Sequence, residues 1–196
     1  MNAPVRPEDM LPTWRLDDLY AGREDPRVEA DLKAAAAAND ELVTLKGQFV
    51  AARAEPEELG RLIDRGVGLY EQATNGLWRV GAYAGLSTAV ARDDAAWAKF
   101  EGDVRTKAAV IGAASLFFTL ELNELEEAEI EAALAAHPPA AKWRPWLRRV
   151  RLSRPHELSP DLERMIVDRS PAVANWVRLY DETLSRLQIK PTGSDE

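Results

Sequence analysis

Four times along this chain a polar residue is followed directly by proline and then by apolar residues three and four positions apart: Asp25-Pro26, Glu55-Pro56, Ser159-Pro160 and Ser170-Pro171. Each dipeptide carries two helix-start signals. The polar side chain can accept from the free amides of a first turn, and proline suits the first helical position, where its missing N–H goes unneeded. After Asp25-Pro26, residues Val28, Leu32, Ala35, Ala36, Leu42, Leu45 and Phe49 keep mostly to helical spacing, predicting a first helix over about 26–52. After Glu55-Pro56, the series Leu59, Leu62, Ile63, Val67, Tyr70, Ala73, Leu77, Val80 and Ala84 predicts a second long helix. Arg92-Asp93-Asp94 supplies the cap of a third, continuing through Trp97, Phe100, Val104, Ile111, Phe117, Phe118 and Leu122.

The remaining chain reads as shorter helices. Leu125 to Ala136 is ended by His137-Pro138-Pro139, because a residue before proline disfavours helical dihedrals. Ala140 to Leu152 forms a fifth helix, with Pro145 in its first turn or kinking it. Ser159-Pro160 and Ser170-Pro171 open two more, the last bearing Trp176, Leu179, Tyr180, Leu184 and Leu187. No segment alternates with the period of a strand, and no helix-pair repeat recurs. The expected fold is all-α: an irregular bundle of about seven helices over residues 25–188, the first three long and antiparallel. Residues 1–24 are expected as an extended N-terminal arm, clamped to the body by Trp14, Leu16, Leu19 and Tyr20, and residues 189–196 as a disordered tail.

Gly60, Gly66, Gly68, Gly76, Gly81 and Gly85 all fall inside the second helix, where each costs about 1 kcal/mol against alanine. Their density predicts close helix contacts, with Gly81 and Gly85 at a spacing that lets backbones approach.

Composition excludes several functions. The stretch from Met1 to Pro12 carries Arg6, Glu8, Asp9 and prolines where a signal peptide needs an apolar run, and no run is long enough for a membrane span. The lack of cysteine removes disulfides, thiolate metal sites and cysteine nucleophiles, and reads as a cytoplasmic chain. A net charge of -8 argues against nucleic acid and anionic membrane as partners. That charge is uneven: Glu121 to Glu131 holds six glutamates, Lys142 to Arg154 six bases. Neighbouring helices with complementary faces explain this more simply than a basic docking patch. The stretch from Lys142 to Arg151, with Trp143 and Trp146, has the residue types that grip single-stranded nucleic acid, but those tryptophans read first as core.

Chemistry finds little to stand on. Hydrolysis by zinc commonly needs two histidines one helical turn apart and a carboxylate base. Only His137 and His156 are present, and His156-Glu157-Leu158-Ser159-Pro160 begins like that motif but has proline where the second histidine belongs. His156 is expected to cap or hydrogen-bond a loop. Ser87 and Ser115 lie in helix interiors with no Gly-x-Ser-x-Gly elbow, and no glycine-rich phosphate loop occurs. Asp17 and Asp18, or Asp93 and Asp94, serve capping and solvation. No catalytic, cofactor-binding or metal-ligating residue is assigned. Tyr83, Phe117 and Phe118 are expected in the core.

Five segments in order carry a resemblance: Trp14-Arg-Leu-Asp-Asp-Leu-Tyr20, Gly81-Ala-Tyr-Ala-Gly-Leu86, Phe117-Phe-Thr-Leu-Glu-Leu122, Arg154-Pro-His-Glu-Leu-Ser159 and Trp176-Val-Arg-Leu-Tyr-Asp-Glu182. Together they resemble the N-terminal region of oligoendopeptidase F. The resemblance implies zinc-dependent endopeptidases for short peptides, largely helical, whose N-terminal half supplies one wall of a deep cleft. The family's zinc ligands and general base lie in a catalytic half that this sequence does not contain, so none transfers to a position here.

Two functions follow. The chain is the N-terminal segment of such a peptidase, inactive without a zinc-bearing half, or a stand-alone helical binding or scaffold module. The first predicts a large exposed apolar patch, the second a polar surface or one covered by a second copy. The start at Met1 and the ending Gly193-Ser194-Asp195-Glu196 favour a real terminus over an arbitrary cut.

Overall fold

The computed structural model describes residues 15–91 and 93–187. Trp14, Arg92 and the expected tail at 189–196 lie outside them. Among the described residues the chain is all-α, without a strand. The helices are α1 (Pro26–Val43), α2 (Gln48–Ala51), α3 (Pro56–Val90), α4 (Ala95–Ala114), α5 (Leu116–Glu124), α6 (Glu127–Ala136), α7 (Arg144–Arg151) and α8 (Pro160–Ser185), with 3-10 turns at Pro138–Trp143 and Arg154–His156.

Pro26, Pro56 and Pro160 open helices as their chemistry predicts, but of the polar residues before them only Asp25 caps with its side chain; Glu55 and Ser159 make no such bond, and the fixed proline φ alone marks those starts. Asp25 caps α1, its Oδ1 accepting from the Arg27 amide at 2.9 Å, and Asp94 caps α4 through the Ala96 amide at 2.8 Å. Glu126 and Glu129 form a reciprocal capping box at the head of α6. Pro145 sits in the first turn of α7.

Helix α3 is the spine. Glu41 late in α1 pairs with Arg65 early in α3, while Asp31 early in α1 meets Arg79 late in α3, so the two run antiparallel. Thr88 donates to the Trp97 carbonyl, and Tyr83 meets Trp97 and Phe100 edge-on, so α4 returns along α3. The N-terminal half of α3 buries Leu59, Ile63 and Val67 in one core with Phe49, Phe118, Leu122 and Leu147. Its C-terminal half buries Val80 and Tyr83 in a second, with Tyr20 and Val104. Tyr20 holds the described segment before α1 to the body: it is fully buried, stacks edge-on against Tyr83, and its hydroxyl donates to Asp31 at 2.6 Å.

Four boundaries differ from the sequence expectation, one being the fifth helix, which was expected from Ala140 but starts at Arg144 after the 3-10 turn at Pro138–Trp143. The first helix does not reach Ala52; it stops at Val43, turns at Gly47 with φ 81°, and resumes for a single turn as α2. The third breaks at Ser115 before α5. Ser170-Pro171 opens nothing, because Pro171 lies inside α8 with its ring accommodated on an exposed helix, and Ser170 Oγ donates back to the Ile166 carbonyl at 3.0 Å. Counting α4 and α5 as one broken helix and omitting the one-turn α2 leaves six helices where about seven were expected.

The glycines divide. A methyl at Gly60 would lie 2.5 Å from His137 Cβ, one at Gly66 2.8 Å from the rings of Phe49 and Phe118, and one at Gly76 3.1 Å from Ala35. Gly81 and Gly85 face open space, so their spacing does not mark a helix contact.

Candidate functional site

The acidic and basic stretches meet each other. Glu131 takes a two-point contact from Arg144, Glu127 pairs with Arg151 at 3.0 Å, and Glu126 with Arg154 at 2.7 Å, joining α6 to α7 and the turn after it. Arg151, with its side chain only 11% exposed, also donates to the Leu122 carbonyl. The tryptophans of this stretch serve the core: Trp146 stacks on Phe118 with centroids 6.0 Å apart and touches Tyr70, and Trp143 Nε1 donates to Asp64 at 2.7 Å. Both rings are partly buried against that core.

The two histidines do not come together as ligands. His137 caps α6 and lies 3.9 Å from Asp64, a carboxylate already engaged by Lys142 and Trp143. His156 is exposed in the 3-10 turn, its backbone amide bonded to the Ser153 carbonyl. Among the described residues no group of three or more His, Asp or Glu side chains is arranged to hold a metal, so the residues present do not fit the zinc site that the resemblance implies. Ser115 Oγ is spent on the Gly112 carbonyl, and Ser87 is buried in α3. Tyr83 and Phe118 are core as expected; Phe117 packs on the core yet also lines a small cleft below the start of α8.

What remains open is α8. It lies against the body through Ala174, Val177, Arg178, Asp181, Glu182 and Ser185, which with Gly85, Thr88, Ala89, Ala98, Glu101 and Arg105 enclose a cleft of about 380 Å³ against α3 and α4. The floor of this cleft is small-residue, and besides Asp181 it carries two charge pairs, each within its own helix, Arg105 with Glu101 and Arg178 with Glu182. No side chain of α8 is fully buried. At 3.6 residues per turn, its apolar side chains from Leu179 round to Ile166 span an arc of roughly 140° on the side away from the body, while Val177 at the edge of that arc lines the cleft. Trp176 is 73% exposed and Tyr180 63%, with Leu162, Ile166, Val173 and Leu184 beside them. The helix is therefore amphipathic with its apolar face outward. Periodicity predicted the stripe but not its orientation, since the residues that touch the body are a mixed polar set with no spacing signal. No single helix among the described residues is long and apolar enough to cross a membrane.

Comparison with known proteins locates a likeness in the C-terminal part of the chain. A family model described as Oligopeptidase F, for the N-terminal region of that family, matches residues 121–189, the stretch from α5 to the end of α8. It takes in Arg154-Pro-His-Glu-Leu-Ser159 and Trp176 to Glu182, while the segments at 14–20 and 81–86 lie outside it. No curated protein and no solved structure matches the chain.

Proposed function

We propose, from an Oligopeptidase F N-terminal sequence at residues 121–189, that this chain is the cytoplasmic, cleft-wall region of an oligoendopeptidase F-like zinc peptidase and is inactive by itself. The single observation that carries the reading is that match, lying over the packed block of α5, α6 and α7 and the helix that leaves it. In this reading the chain binds or confines short peptides. Zinc and the base that activates water come from a separate catalytic half, since among the described residues neither His137 nor His156 belongs to a group of three or more His, Asp or Glu side chains that could hold a metal.

The chemistry of the open cleft agrees with confinement and not with catalysis. Its polar groups are two guanidinium–carboxylate pairs, the Asp181 carboxylate and the hydroxyls of Thr88 and Ser185, and both hydroxyls donate to backbone carbonyls and not to a base. The second reading, a stand-alone helical binding module, draws on the same cleft and on the outward apolar face of α8.

The test is turnover of a mixed pool of short peptides by the purified chain, with zinc quantified and a chelator control, alone and with an added zinc-bearing half of an oligopeptidase F. No zinc and no turnover alone, with turnover raised above that of the zinc-bearing half by itself when the two are mixed, is the expected result. Chelator-sensitive cleavage by the chain alone overturns the proposal. A chain that binds peptides but never raises the turnover of a catalytic half favours the stand-alone module.

A further inference from the structure

We propose that the outward face of α8 binds a second copy of itself, as an antiparallel helix pair related by a twofold axis. The face is continuous along the helix, through Leu162, Ile166, Val173, Trp176, Tyr180 and Leu184. Its largest side chains stay exposed, Trp176 at 73% and Tyr180 at 63%, and a specific dimer needs about 800 Å² per copy removed from water. The body does not obstruct the pairing, because α8 meets α3 and α4 through Ala174, Arg178 and Glu182 on its opposite side.

The pattern of charge selects the occupant and its direction. Along the seam the spacing alternates four and three: Leu162, Ile166, Arg169, Val173, Trp176, Tyr180. Arg169 is the one charge in that row. In a parallel pair it would face Arg169 of the other copy, a like-charge contact in a drying interface. In an antiparallel pair, Leu162 falls opposite Leu187 of the second copy and Val173 opposite Trp176. Arg169 then falls opposite Tyr180, whose ring accepts a guanidinium by cation–π contact. The edges agree. Asp161 and Arg186 stand at opposite ends of the helix but on the same side of the apolar arc, so antiparallel pairing brings each Asp161 near the other copy's Arg186, twice by symmetry.

This inference does not rest on the peptidase reading, and the two are measured separately, by dimer mass and by peptide turnover; a dimer through this face would favour the stand-alone module, since the peptidase reading leaves an apolar face open for a zinc-bearing half. The first measurement is mass in solution by light scattering, expected at twice the 21.7 kDa of the chain. Val173→Glu with Tyr180→Glu should return the monomer mass with helix content unchanged, because both positions lie outside the two cores.

Direction is read by cysteine cross-linking, which is clean in a chain without native cysteine. The double variant Leu162→Cys/Leu187→Cys should oxidise to a covalent dimer, and neither single variant should. Asp161→Arg should weaken the dimer several-fold, and Asp161→Arg/Arg186→Asp should restore it. A monomer up to about 100 μM overturns the proposal and leaves the face to a different chain, such as a zinc-bearing half. Cross-linking by either single variant also overturns it, because it would mean parallel pairing.

Discussion

The buried carboxylate of Glu121 in α5 accepts from the backbone amide of Gly47, with Oε1 at 2.7 Å and Oε2 at 2.9 Å, across 74 residues of sequence. Gly47 is the break between α1 and α2 and has φ 81°, a region where other L-residues cost roughly 1–2 kcal/mol. Glu121 therefore fastens a turn that only glycine makes without strain, and it anchors Leu45 and Phe49 over the core. Gly47→Ala is expected to destabilise by about 1 kcal/mol in urea unfolding.

The same contact has a pH signature. Burial pushes the Glu121 carboxyl above its ordinary 4.5, against the pull of the Gly47 amide. The folded chain thus holds its proton to higher pH than the unfolded chain does. Stability from this group falls as pH rises from the unfolded value through the folded one. Glu121→Gln keeps an acceptor for Gly47 and removes that fall, so its unfolding midpoint should change less with pH above about 4.5 than that of the parent.

Glycines at equal exposure to helix propensity should respond with opposite signs. Gly60→Ala drives a methyl to 2.5 Å from His137 Cβ and 2.6 Å from the Ala133 carbonyl, where backbone must move. Overpacking of this kind costs typically 1–3 kcal/mol. Gly81→Ala meets open space and gains helix propensity, up to about 1 kcal/mol. If both substitutions destabilise alike in urea unfolding, the assignment of α3's tight and open faces is wrong.

That division also marks where the sequence was readable. Asp25, Asp94 and Glu126 cap helices by side-chain chemistry local to their own turn, and local chemistry is what a sequence carries in the open. Gly60 and Gly81 are the same residue type inside one helix; that Gly60 meets α6 and Gly81 meets nothing depends on where α6 lies, past a bend of 99° from the α4–α5 run, which no spacing encodes. Pro171 misled for a related reason: a missing backbone bond ends a helix only where the chain has somewhere else to go, and on exposed α8 it had not. The pairing of Glu126, Glu127 and Glu131 with Arg154, Arg151 and Arg144 was foreseeable from charge blocks, whereas α8's outward face was not, since an apolar stripe is ordinarily read as pointing inward.

Asp64 joins three elements and should dominate one part of the acid response. Burial opposes its charge, but hydrogen bonds from Trp143 and Lys142 outweigh that and hold its carboxyl below the usual carboxylate range. A depressed folded pKa means the contribution is fully present above the unfolded value and is lost as pH falls through the folded one. Asp64→Asn still accepts from Trp143 Nε1 but gives up the attraction to Lys142. Its stability relative to the parent should be lower at pH 6 and converge with it below about pH 3, measured by urea midpoint; a gap that persists into acid would assign the loss to packing.

Arg151 and Arg154 lie one turn apart, each paired with a glutamate at or beside the head of α6, and they should nonetheless behave differently. Arg151 is nearly buried, and besides Glu127 it satisfies the carbonyl of Leu122, one of the unpaired acceptors near the end of α5. Arg151→Met leaves that carbonyl without a partner, a loss of roughly 1–3 kcal/mol that salt cannot screen. Arg154 lies in the open 3-10 turn and makes one solvated pair with Glu126, of the kind whose net worth is small and salt-dependent. Urea midpoints at low salt and at about 1 M should show Arg151→Met destabilised in both, and Arg154→Met distinguishable from the parent only in the first. Equal losses at both sites, erased by salt, would mean that charge alone joins α6 to α7.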